Sequence, residues 1–152
     1  MKFFGFILLL LPSIAFSEST FDKRLKQIGV IDDAYTIINQ KAFDELMRLA
    51  TEQVAPMFPA RIDSVTTALN MNLNRFGLYT NYQIDGIETK DEAKFLMENQ
   101  GLAENYKNYM CSLEHSQSLV FRNNGNMSLN MSLVNSKNQI LYHLRVPFKD
   151  CT

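Results

Sequence analysis

The chain has 152 residues, 46% of them hydrophobic, with 15 basic and 16 acidic side chains and a formal net charge of −1. A near-neutral surface with dispersed charges gives no reason to expect nucleic acid or an anionic membrane as partner. Two cysteines cannot staple a core-less miniprotein, so the fold must rest on buried apolar side chains.

The N-terminus reads Met1-Lys2, then Phe3 to Leu11 without a charge, then Pro12-Ser13-Ile14-Ala15-Phe16-Ser17. A basic start, an apolar run and small residues are the parts of a secretory signal. Cleavage is expected after Ser17, with a cut after Ala15 as the alternative. The uncharged run from Phe3 to Ser17 is short of the ~20 residues that span a bilayer, and no cysteine follows it to carry a lipid. Residues 1–17 are thus a signal peptide and residues 18–152 one domain, periplasmic or secreted, with no stable membrane insertion after cleavage.

Thr20 is placed to cap a short helix from Phe21 to Ile28, stopped at Gly29 and docked loosely as an arm. The main helix is expected from Asp32 or Asp33 to Val54, with Ile38, Ala42, Leu46 and Leu49 as its apolar stripe and Phe43, Met47, Ala50 and Val54 beside them. In a shorter version Asn39 is the cap. Asp44 and Arg48 stand one turn apart for an ion pair. Pro56 and Pro59 end the helix.

The period then changes to two. Val65, Thr67, Leu69, Met71 and Leu73 alternate with polar residues, as do Leu78, Thr80, Tyr82 and Ile84 after a turn at Asn74–Gly77. This predicts a hairpin. Thr89 with Glu92 has the form of a capping box. It opens a helix through Ala93, Leu96 and Met97, ended or bent at Gly101, with Leu102, Tyr106, Tyr109 and Met110 continuing a helical stripe to Cys111. Leu119–Arg122 is read as a short strand. Met127, Leu129, Met131 and Leu133 form a second, joined by Asn135–Asn138 to Ile140, Tyr142, Leu144 and Val146.

The order is α+β: an antiparallel sheet of about five strands in two hairpin units, helices packed on one face, and one disulfide. The strand faces rich in Ser, Asn and Thr should point to water. Cys111 and Cys151, the only cysteines of an exported chain, are expected to pair. Closing a loop of about 40 residues stabilises by roughly 4 kcal/mol in the chain-entropy model.

Chemistry is sparse. His115 and His143 are the only conventional bases, and no HExxH, GxSxG, phosphate loop or dinucleotide fingerprint is present. No catalytic residue, metal site or cofactor is expected. The methionines fall on inward faces and fill core. Asn126 and Asn130 match glycosylation sequons, but Asn130 sits inside a strand. Phe76, Tyr79 and Asn81 make a possible interaction patch, since the strand face of Tyr79 otherwise carries Asn81 and Gln83.

The order Pro59, Ile62-Asp63, Thr66, Leu69, tyrosines in the paired strand, a helix ending in Cys111 and a hairpin ending in Cys151 resembles a group of small exported bacterial proteins. That group is described as quorum-sensing-regulated virulence factors. The likeness spans about residues 56–151. It implies a Gram-negative periplasm or secretion beyond it, an α+β monomer and no catalytic residue.

The expected function is non-enzymatic: binding another protein of the cell envelope or outside the cell, as an inhibitor or as a secretion, conjugation or virulence accessory. One alternative is a carrier holding a small apolar ligand between sheet and helices. Another is a hydrolase using His115 or His143.

Overall fold

A computed structural model describes residues 18–151. The expected signal peptide, residues 1–17, lies outside the described residues. Helix α1 (Thr20–Gln27) is capped by Ser19, one residue before the expected cap, in a reciprocal box with Asp22. The arm is not loosely docked. Leu25 is buried in the main core, and the fully buried Asp22 carboxylate reaches Ser118.

Helix α2 (Gln40–Val54) takes the shorter form, capped by Asn39, whose Oδ1 accepts the Ala42 amide at 3.1 Å. Before it, Asp32 Oδ1 accepts the Thr36 amide and Ile31 bridges Ile37, which closes a turn instead of extending the helix. The shorter helix buries Phe43 and Met47, with Ala42 and Leu46 beside them, while Ile38 and Leu49 are exposed. Arg48 pairs with Glu45 and Glu52 rather than Asp44, and Asp44 instead pairs with Arg75 of the first hairpin turn. Pro56 enters a 3-10 turn at Ala55–Met57 that ends α2.

Among the described residues five strands form one sheet in the order β1-β2-β3-β4-β5. They are β1 (Ala60–Arg61), β2 (Thr66–Asn74), β3 (Gly77–Ile84), β4 (Ser128–Val134) and β5 (Ile140–Pro147). The α+β class holds, and three of the pairings are antiparallel. The β3–β4 pair is parallel, because the chain leaves β3, crosses the sheet as helices and returns alongside. The crossover consists of α3 (Lys90–Lys94), a π turn at Phe95–Asn99, α4 (Leu102–Ser112) and α5 (Leu119–Asn123). The fifth strand is the two-residue edge β1, not Leu119–Arg122. That segment is helical because Asp22 caps it: Oδ2 accepts the Leu119 amide at 2.9 Å and Oδ1 the Val120 amide at 3.3 Å.

In β2 a bulge between Ala68 and Asn70 changes the phase. Met71 and Leu73 pack inward as expected, but before the bulge Ala68 is the buried residue and Val65 is exposed. One extra residue inverts which side chains meet the core. A second bulge beside Val134 leaves Ile140 exposed while Tyr142, Leu144 and Val146 face inward. The β2 edge beyond β1 is closed by Thr51, whose Oγ1 accepts the Leu73 amide at 2.8 Å and donates to its carbonyl at 3.2 Å.

At the start of β3, Gly77 (φ +130°) lies against β4: a Cβ there would stand 1.8 Å from the Ser128 carbonyl oxygen. Only glycine allows that approach. Cys111 and Cys151 form a disulfide with Cα atoms 5.0 Å apart. It joins the end of α4 to the segment after β5, as expected. Arg122 fastens the same corner, donating to the Cys151 carbonyl and to Gln117.

The helices cover one face of the sheet. A large core joins α1, α2, α4 and α5 to β3, β4 and β5, and a smaller one gathers Ala93, Met97, Met131 and Leu133. Among the described residues no helix is long and apolar enough to cross a membrane.

Candidate functional site

Two surfaces carry side chains that the fold does not use up. The first is a groove where the second core opens between α4, the π turn and the sheet. It holds about 290 Å³ and is lined by Met97, Leu102, Tyr106, Tyr82, Ile84 and Leu133, with Ile62 and Tyr109 at its rim. The π turn sets the wall by carrying Met97 inward, fully buried, before α4 restarts after Gly101. Tyr82 and Tyr106 meet edge to face, ring centroids 5.9 Å apart. The Tyr106 hydroxyl lies 3.0 Å from Thr80 Oγ1. Burial raises both phenol pKa values, so both tyrosines stay neutral.

Among the described residues Asp63 is the one carboxylate lining this groove. Its Oδ1 accepts the Val65 and Thr66 amides at 2.8 and 2.7 Å. Those bonds hold its pKa below the usual carboxylate value. The rim is unusually apolar for an exposed surface, with Ile62 at 60% and Tyr109 at 64% exposure. Leu102 and Tyr106 are legible as a helical stripe, but that stripe reads as core. The phase change in β2 and the π turn leave the groove open.

The second surface is the outer face of the sheet. The expectation that its Ser and Asn residues all point to water is corrected on β4, where every residue is buried. Ser128, Asn130 and Ser132 do face away from the helices, but β4 is an interior strand between β3 and β5 and its small polar side chains are buried. Asn130 Nδ2 donates to Ser128 Oγ at 3.0 Å, and Arg145 Nε donates to the same oxygen at 3.1 Å. His143 Nδ1 lies 3.2 Å from Ser132 Oγ.

Of the expected patch, Tyr79 and Asn81 share this face, while Phe76 sits in the hairpin turn beside a different hollow with Asp44, Arg48 and Arg75. The charges of that hollow are engaged in mutual ion pairs. The histidines are not brought together: His143 is on the outer face, and His115 borders a small gap in the main core with Met47, Phe121 and Phe148. Partial burial lowers the His115 pKa, against the pull of Glu114. Among the described residues no three metal-ligating side chains cluster. Asn130, at 5% exposure, is closed to modification.

No family model matches the chain, and no curated protein matches it. Solved structures share its fold. A Pseudomonas aeruginosa protein described as secreted superposes with a TM-score of 0.57 at 12% identity, covering 76% of this chain and 97% of the other. The pilotin EpsS of the Vibrio vulnificus type 2 secretion system superposes with a TM-score of 0.51 at 11% identity, covering 74% and 94%. At such identities the likeness defines a shared α+β fold class.

Proposed function

We propose that the protein is an exported, non-enzymatic accessory of the bacterial cell envelope that binds a partner protein. The observation that carries this is the groove: an apolar trough with neutral tyrosines, an exposed apolar rim and one ionised carboxylate. Its occupant is an amphipathic segment of the partner, apolar residues against Met97, Leu102 and Leu133 and a basic residue opposite Asp63. Grooves between a helix and a sheet take such segments through spaced apolar anchors. The fold shared with a secreted protein and a secretion pilotin supports an exported accessory role, in which the partner belongs to a secretion machine. A quorum-sensing-regulated virulence role would be one setting for it.

The test is capture of an envelope partner from intact cells by crosslinking, repeated with two sets of variants. Ile62→Glu with Tyr109→Glu changes exposed rim residues and should abolish capture with the fold retained. Tyr79→Ala, in the expected patch of Phe76, Tyr79 and Asn81, should leave capture intact. The reverse pattern would move the protein interface to the sheet face. A second reading, a carrier of a small apolar ligand, is favoured by the same trough, whose volume is near the lower end for ligand pockets. A lipid-like molecule co-purifying in stoichiometric amount would establish it.

A further inference from the structure

The outer face of the sheet has an order that a merely solvated face does not need. Cross-strand partners point to the same side, so two rows run across it. One is Asn72, Tyr79, Asn130, Arg145; the other is Asn70, Asn81, Ser132, His143. In each row a basic side chain of the edge strand β5 is held by a serine of the central strand: Arg145 by Ser128 and His143 by Ser132. Ser128 is 1% exposed and also accepts from Asn130, so a buried polar network aims the guanidinium.

Arg145 forms no ion pair among the described residues, whereas Arg48, Arg61 and Arg75 each have a carboxylate. The two rows contain no acidic residue. The Asn70, Asn81 and Tyr79 side chains have no hydrogen-bond partner among the described residues, so their donors and acceptors face outward free. Tyr79 is the one exposed large hydrophobic residue in these two rows. Protein interfaces centre on a buried apolar cluster, and these two rows have none.

We propose that the outer face of the sheet, through Tyr79, Asn70, Asn81 and Arg145, binds an acidic glycan. A sugar ring stacks on Tyr79. Side-chain amides, each both donor and acceptor, meet its hydroxyls. The carboxylate or phosphate substituent takes the free guanidinium edge of Arg145, which suits planar anions. Tyr79 and Arg145 lie two strands apart, about 10 Å, far enough for a glycan to lie over Asn130 between them. This site is separate from the groove and does not depend on a protein partner there.

Calorimetric titration of the exported chain with oligogalacturonate, hyaluronan oligosaccharides and solubilised peptidoglycan strands tests it, with neutral dextran and polyglutamate as controls. Binding of at least one acidic glycan is expected. Tyr79→Ala and Arg145→Gln should each weaken it by about tenfold or more, and Ile62→Glu should not. Backbone NMR shifts should concentrate on β2, β3 and β5. No binding to any of the three, or polyglutamate binding as well as the glycans and without dependence on Tyr79, would overturn the proposal. If Tyr79→Ala disturbs the fold, Asn81→Ala and the dextran control carry the same decision.

Discussion

The Asp22 carboxylate accepts the Ser118 hydroxyl at 2.6 Å across 96 positions of sequence. The same group takes the Leu119 and Val120 amides and closes the capping box of its own helix. It therefore serves two helix N-termini at once, where a negative charge is favoured. Asp22→Ala should cost about 2–4 kcal/mol, since it strands buried donors as well as removing a cap. Asp22→Asn should recover part of that loss through its remaining acceptor. Urea unfolding followed by circular dichroism measures both.

That contact also marks how far the sequence can be read. Local periodicity is enough for both hairpins and the Thr89–Glu92 box, because each rests on spacing within one segment, whereas it overextends α2 toward Asp32 and only the alternative cap at Asn39 matches; the disulfide follows from there being two cysteines. It fails at Leu119–Arg122, which reads as a strand until a cap arrives from residue 22. The same cap makes a firm strut of a helix with little apolar face. The bulge in β2 is invisible because Leu69 and Met71 fit one alternation, and only pairing with β3 shows the slip. The groove and the glycan face both arise from such long-range placements. Tyr79 and Asn81 are legible as an outward pair, while Arg145 lies 66 positions after Tyr79 and joins their face only through the parallel pairing of β4.

Gly77→Ala should be among the most damaging single changes. A Cβ would meet the Ser128 backbone, and φ there is +130°. Backbone strain plus a clash with a central strand should destabilise by more than about 3 kcal/mol. Gly86→Ala is the control. Its φ is +83° but the space around it is open, so only the left-handed penalty of about 1–2 kcal/mol applies. Equal urea midpoints for the two variants would contradict the close approach of β3 to β4.

The disulfide should contribute about 2–4 kcal/mol, chiefly by restricting the unfolded chain. Cys151→Ser leaves the Arg122 bond to the residue 151 carbonyl in place, so the corner should loosen rather than detach. Exported protein, denatured, should show no titratable thiol. Two thiols, or a disulfide-linked dimer as the main species, would remove the bond from the fold.

Acid should weaken the fold in two separable steps. Burial lowers the His115 pKa, so the folded state binds this proton less readily than the unfolded chain does. Its contribution is complete above the ordinary histidine value of about 6.5 and is lost as pH falls from there through the lower folded value. Glu92 acts lower. Its Oε2 accepts the Glu88 amide, the Thr89 amide and the Thr89 hydroxyl at 3.0, 2.9 and 2.8 Å. Those bonds favour the ionised form and depress its pKa. The stability it supplies is complete above about pH 4.3, the ordinary glutamate value, and disappears as pH falls through the depressed folded value. Subtracting the His115→Gln curve of unfolding free energy against pH from that of the parent should leave a step that opens as pH falls below about 6.5. Subtracting the Glu92→Gln curve should leave a step only below about pH 4.3. A Glu92→Gln difference that grows as the solution is acidified would have the wrong sign for a carboxylate held ionised at a helix N-terminus.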